Sequence, residues 1–127
     1  MNHVNKKRPI NLNLFTIRFP IPAIVSILHR VSGVVLFLLI PVMLWALDNS
    51  LSSQDGFDKL HNHLAQPFAK ILLWLFLAPF LFHLVAGIRH LLMDINIGIE
   101  LKTGRLTAML AVTFALLLII LSGIYIW

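Results

Sequence analysis

The chain has 127 residues, of which 59% are hydrophobic and 12% charged, with no cysteine and a formal net charge of +5. Soluble domains are nearer a quarter charged, so an ordinary water-soluble fold is excluded; the missing thiols exclude disulfides, thiolate chemistry, iron–sulfur ligation and C-x-x-C-H haem attachment by this chain. Nor does the positive charge point to nucleic acid, because it is sorted by position along the chain.

The opening residues, 1–19, are polar and then mixed, and carry Lys6, Lys7, Arg8 and Arg18. Lys6–Arg8 ahead of an apolar run resembles a secretory signal, but the run begins well downstream, is long enough to span and has no A-x-A exit, so the first span is expected to be retained. Pro20 and Pro22 bracket Ile21. A residue before proline is pushed away from helical geometry, whereas proline at a first helical position costs no hydrogen bond. A helix is therefore predicted over 22–47, kinked at Pro41.

Residues 48–66 form a polar connection with room for a short interfacial helix, in which His61 and His63 are expected to be solvated. A second helix is predicted over 67–93, kinked at Pro79, and a short connection then makes it an antiparallel neighbour of a third, over 106–127. Ser122 and Gly123 interrupt the third helix as packing contacts. The apolar windows Val31–Leu47, Ile71–Ile88 and Leu106–Trp127 contain no Asp, Glu, Lys or Arg. Each is long enough for a helix to cross a hydrocarbon core of roughly 30 Å.

The predicted fold is thus all-α: one integral membrane domain over 1–127 with three transmembrane helices. Basic residues crowd the N-terminus and the second connection (Arg89, Lys102, Arg105), whereas the first connection sets Asp48, Asp55 and Asp58 against Lys59. The positive-inside rule then places the N-terminus and second connection in the cytoplasm, with the first connection and the C-terminus outside. Trp45, Trp74, Tyr125 and Trp127 gather near the outer interface as an aromatic belt. With no transit peptide, the expected location is a bacterial inner membrane.

Candidate chemistry lies in two stretches. In "HLVAGIRHLLMD", residues 83–94, His83 is the one histidine within the apolar windows. An ionisable group at such depth is a functional hypothesis by default: His83 is either a neutral histidine hydrogen-bonded to another helix or an axial ligand to a haem iron. Gly87, four residues on, would let a flat macrocycle lie against the backbone. His90 returns to nearly the same face but is displaced by roughly 10 Å along the axis, so it is not a second ligand to the same iron. His29 is expected at the level of Arg89 and His90, about two turns from His83. A bis-histidine iron would then require a second polypeptide.

In "SILHRVSG", residues 26–33, Ser26 and Arg30 are neighbours on one helical face. A hydroxyl beside a permanently charged fork of donors suits a quinone carbonyl or a haem propionate; the simpler alternative is an arginine held at lipid phosphate. Gly33 permits close helix contact or cofactor approach.

"RPINLNL" (8–14), "SILHRVS" (26–32) and "HLVAGIRHLLMD" (83–94), in this order across three spans, resemble the cytochrome b membrane-anchor subunit of succinate dehydrogenase, respiratory complex II. The resemblance covers nearly the whole chain, and its motifs are specific in combination. It implies an electron-transport role in the tricarboxylic acid cycle, in an assembly with a flavoprotein subunit, an iron–sulfur subunit and a second small membrane-anchor subunit. It implies that His83 is an axial ligand to the iron of one b-type haem shared with that second anchor. It further implies that Ser26 and Arg30 belong to the ubiquinone site, and that His29 and Arg30 lie where haem propionates are held. Asn96 departs from the family's pattern, which tends to place a small residue there.

Nothing in this chain would oxidise succinate, so any catalysis belongs to the assembly. Two alternatives share the architecture: a haem-free structural anchor, and the anchor of a fumarate reductase. A channel is not indicated, since three spans with one buried histidine line no polar path.

Overall fold

A computed structural model describes residues 17–127; the basic cluster Lys6–Arg8 and the "RPINLNL" stretch lie outside the described residues. The order is α1 (Ile21–Ser52), α2 (Gln54–Leu64), α3 (Pro67–Asp94) and α4 (Leu101–Ile126). The described residues contain no strand. Helices α1, α3 and α4 are each long and apolar enough to cross a membrane. At 32, 28 and 26 residues they exceed the roughly 20 that a bilayer core needs, so their ends reach the interfaces or the helices tilt.

Proline opens two of these helices. Pro22 lies in the first turn of α1 and Pro67 begins α3, positions where a missing N–H leaves nothing unpaired. Pro41 and Pro79 are accommodated within continuous helices. Between α1 and α3, the extended Ser53 caps α2 by accepting a 3.0 Å hydrogen bond from the Gly56 amide. Gly56 must lack a side chain, since a Cβ would stand 2.5 Å from the Asn49 carbonyl oxygen of α1. Phe57, Leu60 and Leu64 form one edge of α2, opposite Asp55, Asp58 and Lys59, the pattern of a helix lying in a membrane interface. On its solvated side, the Lys59 ammonium donates to Asp55 at 2.6 Å, and this hydrogen bond and charge hold the lysine above its ordinary pKa. His61 and His63 are exposed.

The turn from α3 into α4 is built on Asn96, whose φ is +65°. The Asn96 amide donates to the Met93 carbonyl at 3.0 Å and the Ile97 amide to the Leu92 carbonyl at 2.9 Å. Those paired bonds past a left-handed residue are a Schellman cap, and asparagine is among the few residues that tolerate that conformation. The departure noted at position 96 is therefore compatible with the turn.

The three spans meet on small side chains. Val25 of α1, Ala86 of α3 and Ala108 of α4 are essentially inaccessible, with Phe82 and Val112 packed around them. Gly104, Ala108 and Ala115 form a buried stripe along α4, as expected where dispersion and close backbone approach, rather than water exclusion, hold helices together. Farther out, the Trp74 indole donates to the Ile119 carbonyl at 2.8 Å. Its ring lies against Gly123, where a Cβ would be 2.9 Å from Nε1. Trp74 is therefore a latch between α3 and α4, whereas Trp45, Tyr125 and Trp127 are exposed.

Candidate functional site

α1 turns Val25, His29 and Ser32 inward as one stripe, and α3 answers with His83, Ala86 and His90. The His29 and His83 rings stack, with centroids 4.1 Å apart and planes 12° from parallel. His90 adds a third ring, 5.0 Å from His29 and tilted by 46°. The expected two-turn offset between His29 and His83 is not observed. Depth counted from the apolar window misplaces His29, because α1 is helical from Ile21, ten residues before Val31. Counted from helix ends, His29 is eight residues inside α1 and His83 eleven residues inside α3, a difference of only about 4.5 Å along the axes.

Stacking brings the two rings together without making them joint metal ligands. A metal between them would need their nitrogens to converge, whereas these rings present faces. Among the described residues, no cluster of three or more His, Asp or Glu is placed to hold a metal ion.

The proton inventory around His83 is fixed by Ser32, a residue that sequence reasoning passed over. Ser32 is buried, at 5% exposure, and its hydroxyl bonds back to the His29 carbonyl at 2.8 Å, the usual resort of serine inside a helix. That carbonyl and the Ser32 oxygen each lie 3.0 Å from His83 Nδ1. A carbonyl only accepts, and the single hydroxyl proton of Ser32 is already committed to it, so His83 Nδ1 must carry hydrogen. The neutral form of this ring has its lone pair on Nε2, for which the described residues supply no partner. This is the tautomer that metal-binding histidines adopt when a backbone carbonyl orients them.

Two glycines make the contact possible. A Cβ on Gly33 would stand 3.0 Å from His83 Cε1, and one on Gly87 would stand 3.2 Å from His29 Nε2. The surface of Gly87 is thus taken by His29 and is not open to a macrocycle. The Nε2 atoms of His29 and His90 are buried without a partner among the described residues, at a cost of about 1–3 kcal/mol each. A ligand reaches His29 Nε2 only if that ring turns off Gly87.

Ser26 is half-buried and Arg30 exposed on the neighbouring stripe of α1. Neither side chain hydrogen-bonds within the described residues, and both lie in the first turns of the helix. Arg89 behaves differently. It is 5% exposed, and its guanidinium donates to the Gly104 carbonyl at 3.0 Å and to the Thr107 hydroxyl at 3.3 Å, tying α3 to the first turns of α4. Read in the sequence only as interfacial charge, it is a buried fork without a carboxylate among the described residues.

The succinate dehydrogenase/fumarate reductase transmembrane subunit profile matches residues 4–122. The chain belongs to that family. Among individual relatives of this transmembrane subunit, the succinate dehydrogenase cytochrome b556 subunit of Coxiella burnetii is 42% identical over 125 residues, covering 98% of this chain and all of the relative. The subunit of the same name from Rickettsia prowazekii is 34% identical over 119 residues, 93% of this chain and 92% of its own length. That of Paracoccus denitrificans is 28% identical over 123 residues, covering 96% and 95%. Three apolar spans and these bacterial relatives make the succinate dehydrogenase family subunit a multi-pass protein of the bacterial inner membrane.

Proposed function

We propose that this chain is the cytochrome b anchor of a succinate:quinone oxidoreductase, that His83 Nε2 provides one axial ligand to a b-type haem shared with a second small anchor subunit, and that Ser26 and Arg30 form part of the ubiquinone site. The observation that carries the reading is the state of His83. Its Nδ1–H is held by the His29 carbonyl and Ser32, which leaves a lone pair on Nε2 in the apolar part of the bundle, a costly arrangement unless something binds it. The names of the relatives, cytochrome b556 subunits of succinate dehydrogenase, support the same reading.

A bound b-type haem supplies a one-electron store beside the quinone. The chain's own residues orient and stabilise. Arg30, always charged and unpaired among the described residues, is placed to donate to a quinone carbonyl oxygen as negative charge develops there, while the Ser26 hydroxyl, four residues earlier, fixes the carbonyl's orientation. Arg30 also serves a haem propionate. His29 joins it there if its ring swings off Gly87; in the observed rotamer His29 instead carries His83, through stacking and through its backbone carbonyl. Flavoprotein and iron–sulfur subunits dock at the cytoplasmic face and deliver electrons, and ubiquinone takes up two electrons and two protons.

The test is a reduced-minus-oxidised spectrum of the co-purified complex together with quinone turnover. The parent should show a b-type band that Arg30→Leu retains and His83→Leu alters, and Arg30→Leu should lose most quinone reduction. A parent without the band reduces the chain to a haem-free anchor. Full quinone turnover in Arg30→Leu removes the quinone site from α1. A complex that reduces fumarate faster than it oxidises succinate would assign the reverse direction, which the family name also covers.

A further inference from the structure

Ser32 touches neither quinone nor haem in the reading above, yet among the described residues it is the one buried hydroxyl hydrogen-bonded to His83. Its oxygen accepts from Nδ1–H at 3.0 Å while its own hydrogen goes to the His29 carbonyl at 2.8 Å. Nδ1–H therefore faces two acceptors 3.0 Å away, one of them the backbone carbonyl of His29.

Resting on the haem reading, we propose that Ser32 is a positioning residue that sets the electron-donating strength of His83 and so keeps the haem's reduction potential low. An acceptor on Nδ1–H draws that proton outward and gives the ring partial imidazolate character, which makes Nε2 a stronger donor. A stronger donor favours the oxidised, more positive iron. With the hydroxyl gone, Nδ1–H keeps only the His29 carbonyl, the ring donates less, and the reduced iron gains. The sign follows from the direction of the hydrogen bonds. Had Ser32 donated to Nδ1, its removal would shift the potential the other way, but its hydrogen is already engaged.

Redox titration of the haem in the intact complex tests this, using Ser32→Ala together with Ser32→Thr and Ser32→Val, a pair of like shape that differs by the hydroxyl. The expected result for Ser32→Ala is an upward shift equivalent to roughly a threefold to tenfold change in the reduction equilibrium, about 28–59 mV at 59 mV per tenfold for one electron. The threonine variant should lie nearer the parent than the valine variant, and the Michaelis constant for quinone should stay at the parent value in Ser32→Ala. A parental potential in Ser32→Ala, a downward shift, or equal shifts in the threonine and valine variants overturns the role of Ser32 and leaves the haem reading standing. A parent complex without a b-type band overturns the haem reading itself, a separate and earlier outcome.

Discussion

His29 and His83 each rest on the other's helix at a glycine: the rings stack at 4.1 Å, His83 against Gly33 and His29 against Gly87. The reciprocity is unequal in consequence. His83 is clamped by two acceptors on Nδ1, whereas His29 Nε2 has no partner to lose among the described residues. Gly33→Ala, with its new Cβ 3.0 Å from His83 Cε1, should displace a ring that cannot yield without breaking those bonds. It should cost about 1–3 kcal/mol of stability and reduce the haem recovered per complex. Gly87→Ala, at 3.2 Å from a ring free to shift, should cost at most about 1 kcal/mol and leave haem content unchanged. Thermal melting and haem-to-protein ratio of the two purified complexes check the order; equal loss in both would show that His83 is no more fixed than His29.

Arg89 offers a contrast between a charge and its solvation. Among the described residues the buried fork donates to one carbonyl and one hydroxyl, and removing a buried ion's partners costs more than removing the ion. Thr107→Val, which strips one acceptor and keeps the charge, should lower stability by about 1–3 kcal/mol. Arg89→Met, which removes the charge and keeps the volume, should lower it less. Arg89→Lys, an ammonium that cannot reproduce the fork, should fall with Thr107→Val. Melting temperatures of the three variants in the assembled complex give the ranking, and a methionine variant worse than the lysine would mean that the charge itself is needed.

The order of spans and the short second connection were legible because hydropathy and charge are one-dimensional signals, recorded in the sequence at the positions where they act. The meeting of His29 with His83 was not. It depends on how far α1 extends beyond its apolar window toward Ile21 and on which helix faces cross, neither of which a window measures. Ser32 lay inside a motif recognised for His29 and Arg30, but its role needs the neighbouring helix in place. One signal was available: Ser32 is three residues from His29 and seven from Val25, on the same inward stripe, and a polar residue there needs a partner. Trp74 illustrates the opposite limit, since an indole near an interface reads as a lipid anchor until Gly123 is seen beneath it.

Asn96 is the residue where a left-handed φ of +65° makes the consequence of substitution specific. Asn96→Gly should be neutral to slightly stabilising, because glycine adopts this conformation freely. Asn96→Val should destabilise the turn by about 1–2 kcal/mol and weaken the fit of α4 against Arg89. Comparing limited proteolysis at the second connection with the melting temperature separates a local effect from a global one; a valine variant indistinguishable from the glycine variant on both measures would refute the cap.

At the end of the bundle where α3 begins and α4 finishes, Trp74 and Gly123 form a pair whose coupling is measurable. Gly123→Ala places a Cβ 2.9 Å from the indole nitrogen and 3.3 Å from Cε2, so the ring must move and surrender its 2.8 Å bond to the Ile119 carbonyl. That carbonyl keeps a second donor in the Ser122 hydroxyl, also at 2.8 Å, which limits the penalty for its lost partner. Trp74→Phe alone should therefore cost about 1 kcal/mol in hydrogen bonding, and the smaller ring leaves room for the new methyl. The double variant should then be more stable than the sum of the single losses by about 1 kcal/mol or more, the non-additivity typical of residues in contact. Strict additivity in a double-mutant cycle would mean that the indole does not rest on Gly123, and the latch between α3 and α4 would have to be sought in the Arg89 contacts alone.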